Sequence, residues 1–113
     1  MKAPRRGEVW RANLDPTIGH EQAKTRPVLV LSVDAFNACG AELVTILPIT
    51  SKPRALRTRV ELVPPEGGCT KSSQVICEQT RTISIDRLSK PLGSVSDATM
   101  GHVSGIIRML LGL

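Results

Sequence analysis

Residues 19–32 read GHEQAKTRPVLVLS, and this stretch determines how the rest of the chain is interpreted. A polar, mostly charged segment ends at Arg26-Pro27, and an unbroken apolar run follows at once. Because proline fixes its own φ and keeps the residue before it out of the helical region, the run is predicted to be extended. Residues 27–33 are therefore predicted to form a central buried strand with Arg26 at its mouth. A polar loop held by a rigid strand is a common place for catalytic side chains.

The length and composition of the chain indicate one domain, residues 1–113, with 41% apolar residues. No apolar run approaches the roughly 20 residues that a membrane helix needs. The basic N-terminus has no apolar stretch behind it, so we expect no signal peptide, no membrane association and a cytoplasmic location. The cysteines (Cys39, Cys69 and Cys77) are odd in number and form no CxxC pair, so neither a disulfide framework nor a zinc site is expected.

Short strands at close intervals dominate the pattern of the chain. Residues 8–14 alternate, which places Trp10, Ala12 and Leu14 on one face of a first strand. Further strands are predicted over residues 42–49, 58–63, 74–78, 81–85 and 90–93. Pro48 suggests that the first of these is an edge strand or leaves the sheet there, because proline cannot donate to a ladder. Asp34 is expected to cap a short helical turn.

One long helix is predicted at the C-terminus, capped by Ser96. Apolar residues recur at helical spacing on one side of it: Met100, Val103, Ile106, Ile107, Leu110 and Leu111. Together with the strands, this predicts an α+β fold, with a small, strongly curved, mostly antiparallel β-sheet or barrel and a C-terminal α-helix. The apolar helix end predicts burial either within the subunit or in a dimer contact.

The charge balance favours a polyanionic partner. The formal net charge is +5 and the sequence pI is about 9.6, which suits contacts with phosphates. The chain has one Trp, one Phe and no Tyr, so it cannot build the row of stacking aromatics that many single-strand-binding platforms use. Binding of RNA would have to depend on cations and hydrogen bonds.

Four further blocks accompany the opening stretch: RGEVW (6–10), LDPTIG (14–19), PITS (48–51) and CEQTRTI (77–83). In this order and at these spacings, the chain resembles the MazF/PemK/Kid family of toxin endoribonucleases from type II toxin–antitoxin modules. The resemblance runs from about Arg6 to the C-terminal helix. It implies an SH3-like barrel and a homodimer.

The same resemblance implies sequence-selective, metal-independent cleavage of single-stranded RNA, including mRNA, which inhibits translation and growth. The products would be a 2′,3′-cyclic phosphate and a 5′-hydroxyl. A cognate antitoxin with an acidic, disordered C-terminal tail would neutralise the toxin within larger complexes, and DNA would be contacted only through the antitoxin. No cofactor is implied. The sequence agrees in showing no metal-ligand motif, since His20 and His102 are far apart and no carboxylates cluster.

The resemblance implies four catalytic residues: Arg26, Thr50, His20 and Glu78. From the residue types alone, each has a structural alternative. Arg26 could pair with Glu21 at the strand edge, Thr50 could form a local cap, and His20 could be a surface histidine. Glu78 matches an aspartate that acts as a base in the Kid-like branch, but the arginine two positions earlier in that branch is Ile76 here.

Substrate contacts are expected from eight residues on the loops around the presumed site: Glu21, Gln22, Lys24, Ser51, Lys52, Arg54, Gln79 and Arg81. A basic run of this kind (Lys52, Arg54, Arg57 and Arg59) is most often a solvated face, but next to Thr50 it is also a reasonable path for the RNA phosphates that flank the cut. Gln79 and Arg81 could instead belong to a polar network that holds loops together. His102, on the terminal helix, is expected to be structural or to face solvent.

Two other functions fit the same sequence. A gyrase-binding toxin of the CcdB type has a similar fold and no ribonuclease activity. A basic RNA-binding module without activity would bind RNA and leave it intact.

Overall fold

The computed structural model describes residues 3–22 and 24–113, an α+β arrangement of antiparallel strands and one long helix. The strands are β1 (Glu8–Asn13), β2 (Thr25–Val30), β3 (Leu43–Thr50), β4 (Arg59–Leu62), β5 (Ser73–Ile76), β6 (Arg81–Ser84) and β7 (Leu88–Ser94). The helices are α1 (Asp34–Asn37) and α2 (Asp97–Leu111), and 3₁₀ turns lie at Glu66–Gly68, Cys77–Gln79 and Ile85–Arg87. The strands predicted from the sequence are all present, with shifted bounds.

The seven strands form one antiparallel sheet in the order β4-β5-β3-β2-β1-β7, with β6 paired to β3. The strand β3 is interior, so the prediction that Pro48 marks an edge or an exit is wrong. On one side of β3, the pairing with β6 ends at Ile46 and the pairing with β5 begins at Ile49. Leu31 donates its N–H to the carbonyl of Thr45, so the backbone N–H and C=O groups of the odd-numbered residues of β3 point toward β2. The backbone nitrogen of Pro48 points to the opposite side of the strand. Its missing N–H therefore falls where β3 changes partners.

The strand β5 ends earlier than predicted, because residues 77–79 form a 3₁₀ turn. Its last pair joins Ile76 to Arg59, the first residue of β4, and one further backbone hydrogen bond follows, from the Cys77 N–H to the Thr58 carbonyl (3.3 Å). The turn carries Gln79 toward the loop that follows β1, and it carries Glu78 toward Thr58 and Arg59 at the start of β4. This early end of the strand positions both residues.

The two ends of the sheet approach each other without strand pairing between β4 and β7 in the described residues. The 3₁₀ turn after β4 lies against β7 so closely that a Cβ on Gly68 would stand 2.1 Å from the carbonyl oxygen of Leu92. A Cβ on Gly93 would stand 2.6 Å from the N of Gly68. Only glycine allows this backbone contact, which holds the curvature of the sheet.

Apolar side chains cover both faces of the curved sheet. Val9, Leu29 and Leu47 face α2 in one cluster, while their neighbours Trp10 and Val28 face the second cluster. Strands buried on both faces read as continuous apolar runs, which explains the sequence after Pro27. The prediction that Trp10, Ala12 and Leu14 share a face is confirmed, since all three belong to the second cluster.

The helix α2 is capped as predicted, because Thr99 donates its N–H to Ser96 Oγ (3.2 Å). Its predicted apolar stripe is buried from Met100 to Ile107, but Leu110 and Leu111 are 43% and 63% exposed. The prediction for Asp34 is wrong: the cap position is Val33.

The carboxylate of Asp34 instead accepts hydrogen bonds from the N–H of Arg6 (2.7 Å) and Nε of Arg5 (3.3 Å), which tie the N-terminal segment to α1. Within the described part of the chain, no helix has the length and apolarity needed to span a bilayer.

Candidate functional site

A groove of about 1020 Å³ opens where β2 begins and β3 ends. Its walls are the loop of residues 14–24, the loop of residues 51–58 and the turn of residues 67–71. Its basic lining residues are Arg11, Arg26, Lys52, Arg54, Arg59, Lys71 and His20. No Asp or Glu lines the groove among the described residues. A concave surface lined by one sign of charge concentrates ligands of the opposite sign, so the groove suits an anion with several charges.

Arg26 and Thr50 are placed by paired strands rather than by loops. Arg26 is half-buried near the start of β2 and lies opposite Ala12 of β1. Thr50 is the last residue of β3, is 7% exposed and lies opposite Gln74 of β5. Lys52 donates its backbone N–H to Thr50 Oγ1 (3.1 Å), which fixes the hydroxyl oxygen and leaves its proton as a donor. The two predicted catalytic residues therefore line one groove from rigid positions.

His20 lines the same groove from the 14–24 loop, and Gln79 holds that loop in place. Gln22 donates its N–H to Gln79 Oε1 (2.7 Å), and Gln79 Nε2 donates to the carbonyl of His20 (3.2 Å). His20 itself is exposed. The interpretation of Gln79 as part of a polar network that holds a loop agrees with these contacts.

A buried polar network that includes Arg59 supports the 51–58 loop. The side chain of Arg59 is 4% exposed, and its Nε donates to Glu78 Oε2 (2.8 Å). The prediction that Arg59 belongs to a solvated basic face is wrong, because its side chain is buried in an ion pair with Glu78, which lies in the turn after β5. Thr58 donates its hydroxyl to the other carboxylate oxygen (2.7 Å).

The carboxyl group of Glu78 is held in its ionised form. Partial burial by itself raises the pKa of Glu78, but hydrogen bonds from Thr58, its own backbone and Arg59 outweigh this effect, as does the charge of Arg59. The resulting pKa of Glu78 lies below its ordinary value. Such a carboxylate is a weak base that already has partners.

The structure brings eight of the twelve predicted site residues into the groove lining: His20, Gln22, Arg26, Thr50, Ser51, Lys52, Arg54 and Gln79. Four lie outside this lining: Glu21, Lys24, Glu78 and Arg81.

Of the residues outside, Glu21 accepts the N–H of Ile18 (3.2 Å) within its own turn. Arg81 donates to the carbonyl of Leu14 (3.3 Å) at the start of the same loop. Both contacts shape the loop around the site. His102 is exposed on α2, which confirms that it faces solvent.

Sequence reasoning missed two basic groove residues, Arg11 and Lys71, and it named Arg59 only as part of the basic run. Arg11 is the outward residue of β1 that pairs with Pro27, so the alternation of β1 together with the β1–β2 register identifies it. Arg59 lies directly across from Ile76, the position where the family branch has its arginine. Lys71 lies in a Gly/Pro-rich turn, and no local signal connects this turn to Arg26.

Comparison with known proteins gives one consistent result. Residues 5–111 match the family described as "PemK-like, MazF-like toxin of type II toxin-antitoxin system". "Endoribonuclease PemK" of Escherichia coli is 40% identical over 108 residues, covering 94% of this chain and 80% of the relative. "Endoribonuclease EndoA" of Bacillus subtilis is 32% identical over 110 residues, covering 96% and 95%.

Solved structures with the same fold include MazF from Deinococcus radiodurans, with a TM-score of 0.86, 29% identity and 98% of each chain covered. Another is an endoribonuclease in complex with its cognate antitoxin from a mycobacterial species, with a TM-score of 0.78, 27% identity and coverage of 100% and 97%. On the match over residues 5–111 and the 40% identical relative, this chain belongs to the PemK-like, MazF-like toxin family of type II toxin–antitoxin systems.

Proposed function

We propose that this protein is a sequence-selective endoribonuclease toxin that cleaves single-stranded RNA in the groove. The observation that carries the proposal is the placement of Arg26 and Thr50 at rigid strand ends within one cationic groove that no described Asp or Glu lines. A substrate with a chain of phosphates fits this charge. The names of the relatives, endoribonucleases PemK and EndoA, support the same activity.

The chemistry uses the 2′-hydroxyl of the substrate as the nucleophile. Its oxygen forms a bond to the adjacent phosphorus, the bond from phosphorus to the 5′-oxygen breaks, and the products carry a 2′,3′-cyclic phosphate and a 5′-hydroxyl. Charge develops on the phosphate oxygens during this step, and preorganised cations and donors lower its energy. Arg26 supplies the planar donor group, and the Thr50 hydroxyl donates to a phosphate oxygen.

The 5′-oxygen must gain a proton and the 2′-hydroxyl must lose one. His20 is a histidine that lines the groove, so we assign proton transfer to its imidazole. The positive charge needed at the phosphate comes from arginine, so we propose that the reaction requires no metal ion. Gln22, Ser51, Lys52 and Arg54 line the path of the neighbouring nucleotides. Glu78 has no step in this chemistry, because it lies outside the groove lining and is paired with Arg59.

We propose further that a cognate antitoxin inhibits the protein by covering the groove with an acidic segment. A structure described as MazE–MazF from Deinococcus radiodurans, with 25% identity and a TM-score of 0.79, supports association with an antitoxin. A homodimer is supported by the exposed apolar end of α2, where Met109 and Leu111 are each 63% exposed. The contact between Gly68 and β7 supports an SH3-like barrel. We also propose that the protein acts in the cytoplasm, where mRNA, its proposed substrate, is translated.

The test is cleavage of a single-stranded RNA library in excess EDTA, with DNA of the same sequences as the comparison. We expect RNA to be cut and DNA to stay intact, because DNA lacks the 2′-hydroxyl. Arg26→Ala and Thr50→Ala should abolish cleavage and growth inhibition, and Arg26→Lys should be impaired because a point charge does not replace a planar fork of donors. Arg108→Ala is the matched control, since Arg108 is exposed on α2 outside the groove lining.

Cleavage at the parental rate by Arg26→Ala would show that the assignment of Arg26 is wrong. RNA that is bound and never cut would indicate a binding module instead. A requirement for added magnesium would refute the metal-independent mechanism.

A further inference from the structure

Gln74 forms a second contact of the kind that Gln79 makes, on the opposite wall of the groove. Arg54 donates its backbone N–H to Gln74 Oε1 (3.1 Å), and Gln74 Nε2 donates back to the carbonyl of Arg54 (3.3 Å). One primary amide thus holds both polar backbone groups of the central residue of the 51–58 loop. Gln74 is 6% exposed, so this contact is partly buried beneath the loop.

Each glutamine therefore holds one wall of the groove through backbone atoms. Gln79 holds the N–H of Gln22 and the carbonyl of His20, and Gln74 holds the N–H and the carbonyl of Arg54. These hydrogen bonds use only backbone atoms of the held residues, so the glutamines do not engage the side chains of His20 and Arg54. We call these two sets of contacts the glutamine clamps.

Both clamps originate from one short segment, residues 73–79, which the core holds rigidly. Val75 and Ile76 are fully buried, and Cys77 is 1% exposed in the cluster that α2 covers. The strand part of the segment pairs with β3 on one side and with β4 on the other. Arg59 adds a further restraint, since its NH1 donates to Gln74 Oε1 (3.2 Å).

We propose that Gln74 and Gln79 are positioning residues that set the width of the groove by holding its two loops on this one rigid segment. The proposal rests on the function proposed above and adds how the site keeps its shape before RNA binds. It also explains the neighbours of Glu78: the carboxylate fixes Arg59 and Thr58, so that Gln74 and the end of the 51–58 loop stay in place. Neither glutamine needs to touch RNA.

The first test is amide hydrogen exchange measured by NMR on the full chain, with each glutamine variant serving as the matched control for the other. Gln79→Met should speed exchange at the Gln22 amide by roughly two- to tenfold, the range expected for the loss of one hydrogen bond, and leave the Arg54 amide unchanged. Gln74→Met should do the reverse. If both amides change together in either variant, or if neither changes, the clamps do not act as proposed.

A second pair of variants keeps the test decisive if a methionine variant fails to fold. Gln79→Glu, and Gln74→Glu combined with Glu61→Gln, keep the oxygen that accepts the backbone N–H and remove the N–H₂ that donates to the carbonyl. The change at Glu61 is needed because Gln74 Nε2 also donates to Glu61 Oε1 (2.7 Å), so Gln74→Glu alone would place two carboxylates in contact. Each should preserve the slow amide exchange of its own loop better than methionine does, while still altering activity. Faster exchange in the glutamate variant than in the methionine variant would overturn the proposal.

The second test separates KM from kcat for RNA cleavage. Gln74→Met loosens the loop that carries Lys52 and Arg54, so we expect KM to rise by roughly two- to tenfold with kcat nearly unchanged. Gln79→Met loosens the loop that carries His20, so we expect kcat to fall. Unchanged kcat and KM in both variants would overturn the positioning role. If the parent protein does not cut RNA, the proposed function fails, and the exchange data still decide whether the clamps hold the loops.

Discussion

Glu78→Met should destabilise the folded protein more than Arg59→Met, although the two residues form one ion pair. The pair joins Arg59 Nε to Glu78 Oε2 at 2.8 Å, with side chains that are 4% and 26% exposed, respectively. Loss of Glu78 leaves a guanidinium buried without its charged partner. Loss of Arg59 leaves a carboxylate that solvent can reach and that still accepts the hydroxyl of Thr58 (2.7 Å). The cost of each change depends on the group that is left behind.

The expected magnitudes follow from burial. An ion left buried without its partner costs about 3–5 kcal/mol, and the low exposure of Arg59 places Glu78→Met near about 3 kcal/mol. Arg59→Met should cost about 1–2 kcal/mol, because the remaining carboxylate is partly hydrated. For a domain of this size, these values correspond to a fall in Tm on the order of 10 °C for Glu78→Met and about half as much for Arg59→Met. The double variant should be more stable than Glu78→Met alone.

Urea denaturation at neutral and acid pH measures which variant is less stable and whether the charge of Glu78 causes the difference. The pKa of Glu78 lies below its ordinary value in the folded protein, so its contribution is complete above the range of an unfolded carboxyl group. That contribution is lost as the pH falls through the lowered folded pKa, and the stability of the parent should then approach that of Glu78→Met. A larger loss for Arg59→Met, or a difference that does not narrow in acid, would refute the reasoning.

Three further outcomes are expected. Gly68→Ala should cost at least about 2 kcal/mol in urea denaturation, because the new Cβ would stand 2.1 Å from a carbonyl oxygen of β7. Gly101→Ala should instead stabilise α2 by about 0.5–1 kcal/mol, because a Cβ at that position would meet no atom within 4 Å. Equal effects of the two variants would contradict the close contact at Gly68. Glu66→Gln should lower the free energy of unfolding by about 1 kcal/mol or less at neutral pH, because hydroxyl and backbone donors at the start of α2 hold the pKa of Glu66 below its ordinary value. The difference in stability from the parent should vanish as the pH falls through that lowered pKa, and a difference that grows in acid would contradict this prediction. Neutralising Lys52 and Arg54 together should reduce the slope of log K for RNA binding against log salt concentration, measured by fluorescence anisotropy. The reduction should be roughly 0.7 for each phosphate that the protein no longer neutralises, and an unaltered slope would show that this loop lies away from the RNA.

The strands and the helix were predictable because their signals are local. The alternation around Trp10 identifies the faces of β1, and Ser96 begins α2 in the expected way. Pro48 misled the prediction because a missing donor indicates an edge only when the strand has one partner along its whole length. Here β3 changes partners at that point, a property of the whole sheet that no local pattern carries.

The position of the candidate site was predictable from Arg26, at the start of a buried strand, and from Thr50, at the end of another. The family resemblance added roles for these residues that composition alone does not give. The burial of Arg59 was not predictable, because its partner is 19 residues away and arrives through a 3₁₀ turn. The contact between Gln79 and the 14–24 loop spans 57 residues at Gln22. Such pairings follow from tertiary packing, which local sequence patterns do not encode.

The most direct test of the central claim uses one oligonucleotide in two forms that differ by one oxygen. Once a preferred cleavage site is known, an all-RNA strand is compared with a strand that carries a single 2′-deoxynucleotide on the 5′ side of the cut, both in excess EDTA. Since the 2′-hydroxyl is the proposed nucleophile, the account predicts that the RNA is cut to leave a 5′-hydroxyl and that the substituted strand binds with similar affinity and stays intact. Cleavage of the substituted strand at the same position would contradict the account.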